Sequence, residues 1–131
     1  MIIGIGTDLT SVERIGQTLE TQGERFIARC FAESERPPEG AKPAAFYAKR
    51  WAAKEACAKA LGLGIRDGIH LKDIAVKSDT AGKPALSLSG GAKDRLTAIT
   101  PAGMTSEIHV SLTDDAGMAL AFVVISAHGK T

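Results

Sequence analysis

Residues 44–61 leave this chain the least choice. They are rich in alanine and other strong helix formers, Pro43 stands where a helix tolerates proline in its first turn, and Gly62 stands where helices commonly close. At about 1.5 Å per residue the segment makes a rod about 27 Å long, roughly the width of a small domain. In a chain of 131 residues that rod must run through the core, and one domain over residues 1–131 is expected. Only 5% of residues are aromatic, so Ala, Ile, Val and Leu must build most of that core.

The rest of the chain arranges itself around the rod. Residues 2–7 are short and β-branched and read as a strand. Thr10 and Glu13 have capping-box spacing before Val12, Ile15 and Leu19, which recur at helical intervals. Asp8 is thus expected just past a strand and just before a helix, a corner of the kind that carries function. Pro37, Pro38, Gly40 and Pro43 break regular structure over residues 33–43. Ile74 and Val76, then Leu86 and Leu88, alternate around turn residues 79–84 and predict a hairpin. Ser89-Gly90-Gly91 opens a short helix that stops before Pro101. Ile108, Val110 and Leu112 alternate, residues 114–117 turn, and residues 118–125 run back. One strand, then helices, then hairpins predict an α+β fold with an antiparallel sheet packed on the long central helix. Residues 118–125 contain no polar side chain. A half-solvated strand alternates, so both faces of this one should be covered, one of them by another subunit.

Charge narrows the functional classes. Lys plus Arg is 16 and Asp plus Glu is 15, a net charge of +1, without the basic excess usual in proteins that live on nucleic acid. No run approaches the ~18–20 apolar residues of a membrane span, and the first residues lack the basic start of a signal peptide, so a cytoplasmic protein is expected. Cys30 and Cys57 form no C-x-x-C pair and read as packed free thiols. Locally the balance is different: residues 42–59 hold Lys42, Lys49, Arg50, Lys54 and Lys59 against the single anion Glu55, a balance of +4. A carboxylate among cations suits a metal–phosphate site, where the carboxylate holds Mg²⁺ and the cations hold phosphate oxygens. Mg²⁺ usually takes one or two carboxylates, and Asp8 and Glu55 are the candidate pair; spacing alone does not bring them together. Glu55 and Lys59 share a helix face, which by itself is worth only about 0.3–0.5 kcal/mol as a solvated pair. Gly4-x-Gly6 and Gly62-x-Gly64 complete no phosphate-binding fingerprint and read as close packing and a helix stop. His109 and Ser111 lie opposite Ile108, Val110 and Leu112 in the strand period.

Three blocks together resemble the holo-acyl-carrier-protein synthases, the small 4′-phosphopantetheinyl transferases. They are Gly4-Ile5-Gly6-Thr7-Asp8-Leu9 with Arg14 behind it, Ala48-Lys49-Arg50-Trp51-Ala52-Ala53-Lys54-Glu55-Ala56 running on through Lys59 to Ile65, and His109-Val110-Ser111-Leu112-Thr113-Asp114 with Gly82-Lys83-Pro84 before it. The resemblance implies transfer of phosphopantetheine from coenzyme A to a serine of apo-acyl carrier protein, for fatty acid biosynthesis, with release of adenosine 3′,5′-bisphosphate. It implies Asp8 and Glu55 as Mg²⁺ ligands and, with Lys59, as the catalytic group. Lys59 would contact the pyrophosphate, and further coenzyme A contacts fall on Arg50, Gly82, Lys83, Pro84 and His109. Arg14 would dock the acidic helix of the carrier. Small members of this family are homotrimers with active sites between subunits, which fits the unbroken apolar last strand. Many members carry His where this chain has Asp114, so no histidine role carries over there, and Pro37-Pro38-Glu39-Gly40 stands where relatives often continue a helix.

Two other readings use the same residues. A Mg²⁺-dependent phosphoester hydrolase would attack with water and need no carrier. A coenzyme A or nucleotide binding module would keep the basic helix and tolerate loss of Asp8.

Overall fold

The computed structural model describes residues 1–129. The expected rod is α3 (Pro43–Ala60), with proline in its first turn and Gly62 at φ +89° just beyond its end. Its Ala48, Ala52, Ala53, Ala56, Ala58 and Ala60 are buried, so it is covered on most of its circumference. Small side chains let neighbours approach from several directions, and a one-sided apolar stripe is not required.

A three-stranded antiparallel sheet lies against α3 in the order β1-β5-β4, formed by β1 (Ile2–Ser11), β4 (Met104–Asp115) and β5 (Met118–Gly129). Strands β4 and β5 join through Ala116 and Gly117, both at positive φ (50° and 77°), the backbone of a tight hairpin turn. The predicted hairpin of β2 (Ile74–Ser78) and β3 (Pro84–Leu88) forms a second, separate sheet. Helix α4 (Gly90–Ile99) follows, and Arg95 Nε donates to the Leu61 carbonyl at 2.8 Å, tying α4 to the end of α3. Ser89 sits at the cap position of α4 without making a side-chain cap bond.

Two expectations are corrected at the start of the chain. Strand β1 continues to Ser11, because its ladder to β5 runs on to the Ser11–Met118 pair, and Val12 N–H then donates to the Gly117 carbonyl at 2.9 Å. Asp8 therefore lies inside a strand, not beyond one. The cap of α1 (Val12–Gln22) is Ser11, whose Oγ accepts from Arg14 N–H at 3.2 Å, while the Thr10 hydroxyl donates to Asp8 Oδ2 at 2.6 Å. Tertiary pairing has overridden the local capping-box spacing.

The core has two parts. Aliphatic residues of α3, β2 and β5 form one. The other gathers five of the six aromatics, Phe26, Phe31, Phe46, Tyr47 and Trp51, between α1, α3 and a short helix α2 (Glu24–Cys30) that local periodicity did not signal. On β5, Ala119, Ala121, Val123, Ile125 and Ala127 face α3 and are buried. The alternate face is open in the single chain: Leu120 and Phe122 are 40% and 43% exposed, beside Ile5 and Leu9 at 61% each.

Candidate active site

Alternate residues of β1 face α3, and the first two of them in the motif are glycines. A Cβ on Gly4 would lie 2.0 Å from the Ala60 carbonyl oxygen, and one on Gly6 would lie 2.0 Å from that of Ala56. Without those carbons strand and helix touch backbone to backbone. The next residue of the same face is Asp8, which arrives beside the last turns of α3. There Lys59 Nζ donates to the Thr7 carbonyl at 3.0 Å and pairs with Asp8 Oδ1 at 3.3 Å. Trp51, Glu55 and Lys59, spaced by four residues, are among the α3 side chains left partly open, and they run toward this junction.

Asp8 and Glu55 share a cavity of about 450 Å³ with Arg14, Arg29 and Trp51. Burial pushes the Glu55 carboxyl above its ordinary range, the charge of Asp8 pushes it further, and Lys59 opposes both. Two carboxylates in mutual repulsion, with a lysine paired to one of them, fit a divalent cation that would relieve the repulsion. No group of three or more His, Cys, Asp or Glu able to hold a metal occurs among the described residues. A two-carboxylate site of this kind suits Mg²⁺, which completes its shell from substrate phosphates and water.

A second cavity, about 330 Å³, lies along the first half of α3 and is lined by Lys42, Phe46, Lys49, Arg50 and Ser78. The Arg50 guanidinium stacks on Phe46 at 3.9 Å from the ring centroid. Lys49 pairs with Asp114 at 3.2 Å, an exposed contact that screening keeps weak. Lys54, one of the expected phosphate-facing cations, is corrected: its side chain is 0% exposed, bonded to Glu35 Oε1 at 2.6 Å. Its charge serves the interior and does not reach a ligand.

A family model described as the 4′-phosphopantetheinyl transferase superfamily matches residues 4–120. The chain belongs to that superfamily. It is therefore an enzyme, a transferase of the phosphopantetheinyl group. A holo-acyl-carrier-protein synthase of Rhodopseudomonas palustris (strain BisB5) is 53% identical over 133 aligned residues, covering 97% of this chain and 96% of that protein. The crystal structure of the Neisseria meningitidis holo-acyl-carrier-protein synthase superposes with a TM-score of 0.82 at 36% identity, covering 96% and 99% of the two chains. The Helicobacter pylori enzyme, solved in complex with coenzyme A, gives 0.79 at 30% identity, covering 93% and 99%.

In this transferase the expected site residues fall into three places. Asp8 and Glu55 share one cavity with Arg14 on its wall, and Lys59 pairs with Asp8 beside it. Arg50 lies in the second cavity, where Ser78 pairs with Pro84 across the hairpin whose tip carries Gly82 and Lys83. His109 lines neither cavity; it sits on the outer sheet face, 3.4 Å from Ser126 Oγ and 3.7 Å from Glu107. Sequence reasoning missed Glu35, buried within a polar, proline-rich stretch that gives no periodic signal. It also missed Arg29, whose α2 was not foreseen.

Proposed function

We propose that the chain, acting as one domain over residues 1–131, transfers 4′-phosphopantetheine from coenzyme A to a serine of apo-acyl carrier protein in a Mg²⁺-dependent reaction. The other product is adenosine 3′,5′-bisphosphate, and the holo-carrier serves fatty acid biosynthesis in the cytoplasm. The observation that carries this reading is the meeting of Asp8 and Glu55 at one cavity whose wall also holds Arg14, with Lys59 paired to Asp8 at 3.3 Å beside it. Asp8 and Glu55 would hold Mg²⁺, which when bound neutralises charge across the coenzyme A pyrophosphate. Lys59, with about half of its side chain exposed, adds its charge to the same oxygens. Glu55, directly or through a water, takes the serine proton. The serine oxygen bonds to the β-phosphorus, the bond from that phosphorus to the bridging oxygen breaks, and the departing phosphate monoester keeps the electron pair.

The cations Lys42, Lys49 and Arg50 suit the anionic nucleotide end of coenzyme A in the second cavity. Gly82, Lys83 and Pro84 lie on the hairpin that borders it. Arg14 and Arg29 give the first cavity a basic wall for the acidic helix of the carrier. The open apolar face with Ile5, Leu9, Leu120 and Phe122 supports a homotrimer, in which His109, on that same outer face, is offered to a neighbouring copy's coenzyme A. The test is nucleotide release followed with and without apo-carrier. Adenosine 3′,5′-bisphosphate is expected only with the carrier present. Equal release without it would favour the hydrolase.

A further inference from the structure

One carboxylate in this chain serves two cations away from solvent. The Glu35 and Lys54 side chains are both 0% exposed. Lys54 Nζ donates to Glu35 Oε1 at 2.6 Å, to the Leu71 carbonyl at 3.2 Å and to the Ile74 carbonyl. Glu35 also accepts from Ala32 N–H at 2.9 Å and Val76 N–H at 3.2 Å. Arg50 Nε lies 3.9 Å from Glu35 Oε2, too far for a hydrogen bond. Among the described residues it is the buried side-chain nitrogen without a hydrogen-bond partner.

Three segments are tied together at this point: the loop before α3, α3 itself and β2. The same three segments wall the second cavity, through Lys42 of the loop, Phe46, Lys49 and Arg50 of the helix, and Ser78 of the strand. Apolar residues of similar size often stabilise a core as well as a buried ion pair does. A carboxylate does what they cannot: it accepts from two backbone N–H groups and a lysine together, and attracts a guanidinium from behind the wall. Two positive charges share one negative charge, so Arg50 keeps an unmet demand for an anion.

We infer that Glu35 is a positioning residue for the coenzyme A nucleotide: it fixes the three walls of the cationic cavity and holds Arg50 with its guanidinium ready for a ligand phosphate. This rests on the reading of that cavity given under the proposed function. Asp8, Glu55 and Arg14 line the other cavity, so the effect should fall on coenzyme A alone.

Glu35→Gln alone strands the Lys54 charge in the interior and is expected to lower Tm. Glu35→Gln combined with Lys54→Met removes both charges at similar shape. For this double variant, and for Arg50→Lys, which leaves the buried pair intact and loses the Nε facing Glu35, KM for each substrate and kcat are measured. Calorimetry with coenzyme A and no carrier gives Kd. Both variants are expected to raise KM and Kd for coenzyme A at least tenfold, and in the double variant kcat and carrier KM stay within twofold. Native coenzyme A affinity in either variant would overturn the inference. So would parallel losses in both substrates and kcat, which mark general loosening of the fold. A wild-type chain that binds no coenzyme A refutes the reading of the cavity and this inference with it. Equal binding by the wild type and the double variant refutes the inference alone.

Discussion

Replacing Gly6 with alanine should separate strand β1 from helix α3 and thereby dismantle the site. The added carbon would stand 2.0 Å from the Ala56 carbonyl oxygen and 2.8 Å from Ala60 N. Both are backbone atoms of the central helix and have no rotamer to escape into. To reach the 3.4 Å of ordinary contact, strand and helix must part by about 1.4 Å at this point. The Lys59 contacts at 3.0 Å to Thr7 and 3.3 Å to Asp8 would then pass beyond hydrogen-bond length. Overpacking of this kind typically costs about 1–3 kcal/mol, and a backbone clash belongs at or above the top of that range. For a domain of this size Tm should fall by roughly 5–15 °C. A misplacement of about 1 Å in reacting groups can reduce turnover ~10²-fold. Calorimetry gives the first quantity; holo-carrier formation, followed well below the variant's Tm, gives the second. Gly16→Ala is the control, because its carbon would meet only the Ala44 Cβ at 3.5 Å; in a helix that change is expected to be neutral or stabilising by up to about 1 kcal/mol. A Gly6→Ala protein with native Tm and native turnover would refute the close approach on which the site depends.

Four further outcomes follow from the same geometry. Glu55→Gln should lose at least ~10²-fold in kcat even at saturating Mg²⁺; near-normal turnover there would reject Glu55 as the base. Arg14→Glu should raise KM for the carrier and leave KM for coenzyme A unchanged, and an unchanged carrier KM would remove Arg14 from docking. Burial pushes the Cys57 thiol up to about 12 and raises Cys30 as well, so a thiol reagent should find almost no fast-reacting group in the native protein and two per chain after unfolding; rapid native labelling would contradict the packing. In EDTA, an ionised Glu55 opposes folding, because its pKa is raised in the folded state. That penalty is present above the folded-state value and disappears as pH falls below the ordinary carboxylate value. Glu55→Gln should therefore melt higher than wild type near neutral pH, and the gap should close in acid; a gap that widens in acid would contradict the burial assigned to Glu55.

Much of the fold was legible because local and global signals agree. Alanine content, Pro43 and Gly62 marked α3, and the alternation of Ile108, Val110 and Leu112 with the turn at Ala116-Gly117 marked the β4–β5 hairpin. Gly4-x-Gly6 was readable as close packing, and period-2 geometry carries the same face on to Asp8. What no spacing could give is the meeting of Asp8 with Lys59, 51 residues apart in the chain. The Thr10 cap was misread because ladder pairing holds β1 extended through Ser11. Lys54 was read as a ligand-facing cation because its partner Glu35 sits in a stretch with no periodicity, where nothing in the sequence marks a side chain as buried. The apolar residues 118–125 read as a strand covered on both faces. α3 covers one, while Leu120 and Phe122 stay open on the other.

Intact-mass measurement of an apo-acyl carrier protein, incubated with this protein, coenzyme A and Mg²⁺ beside an EDTA control, decides the reaction. The carrier is expected to gain the mass of one phosphopantetheine with Mg²⁺ and none with EDTA. An unchanged carrier mass in both, with the protein shown to be folded and several carriers tried, would contradict the transfer reaction proposed for Asp8, Glu55 and Lys59.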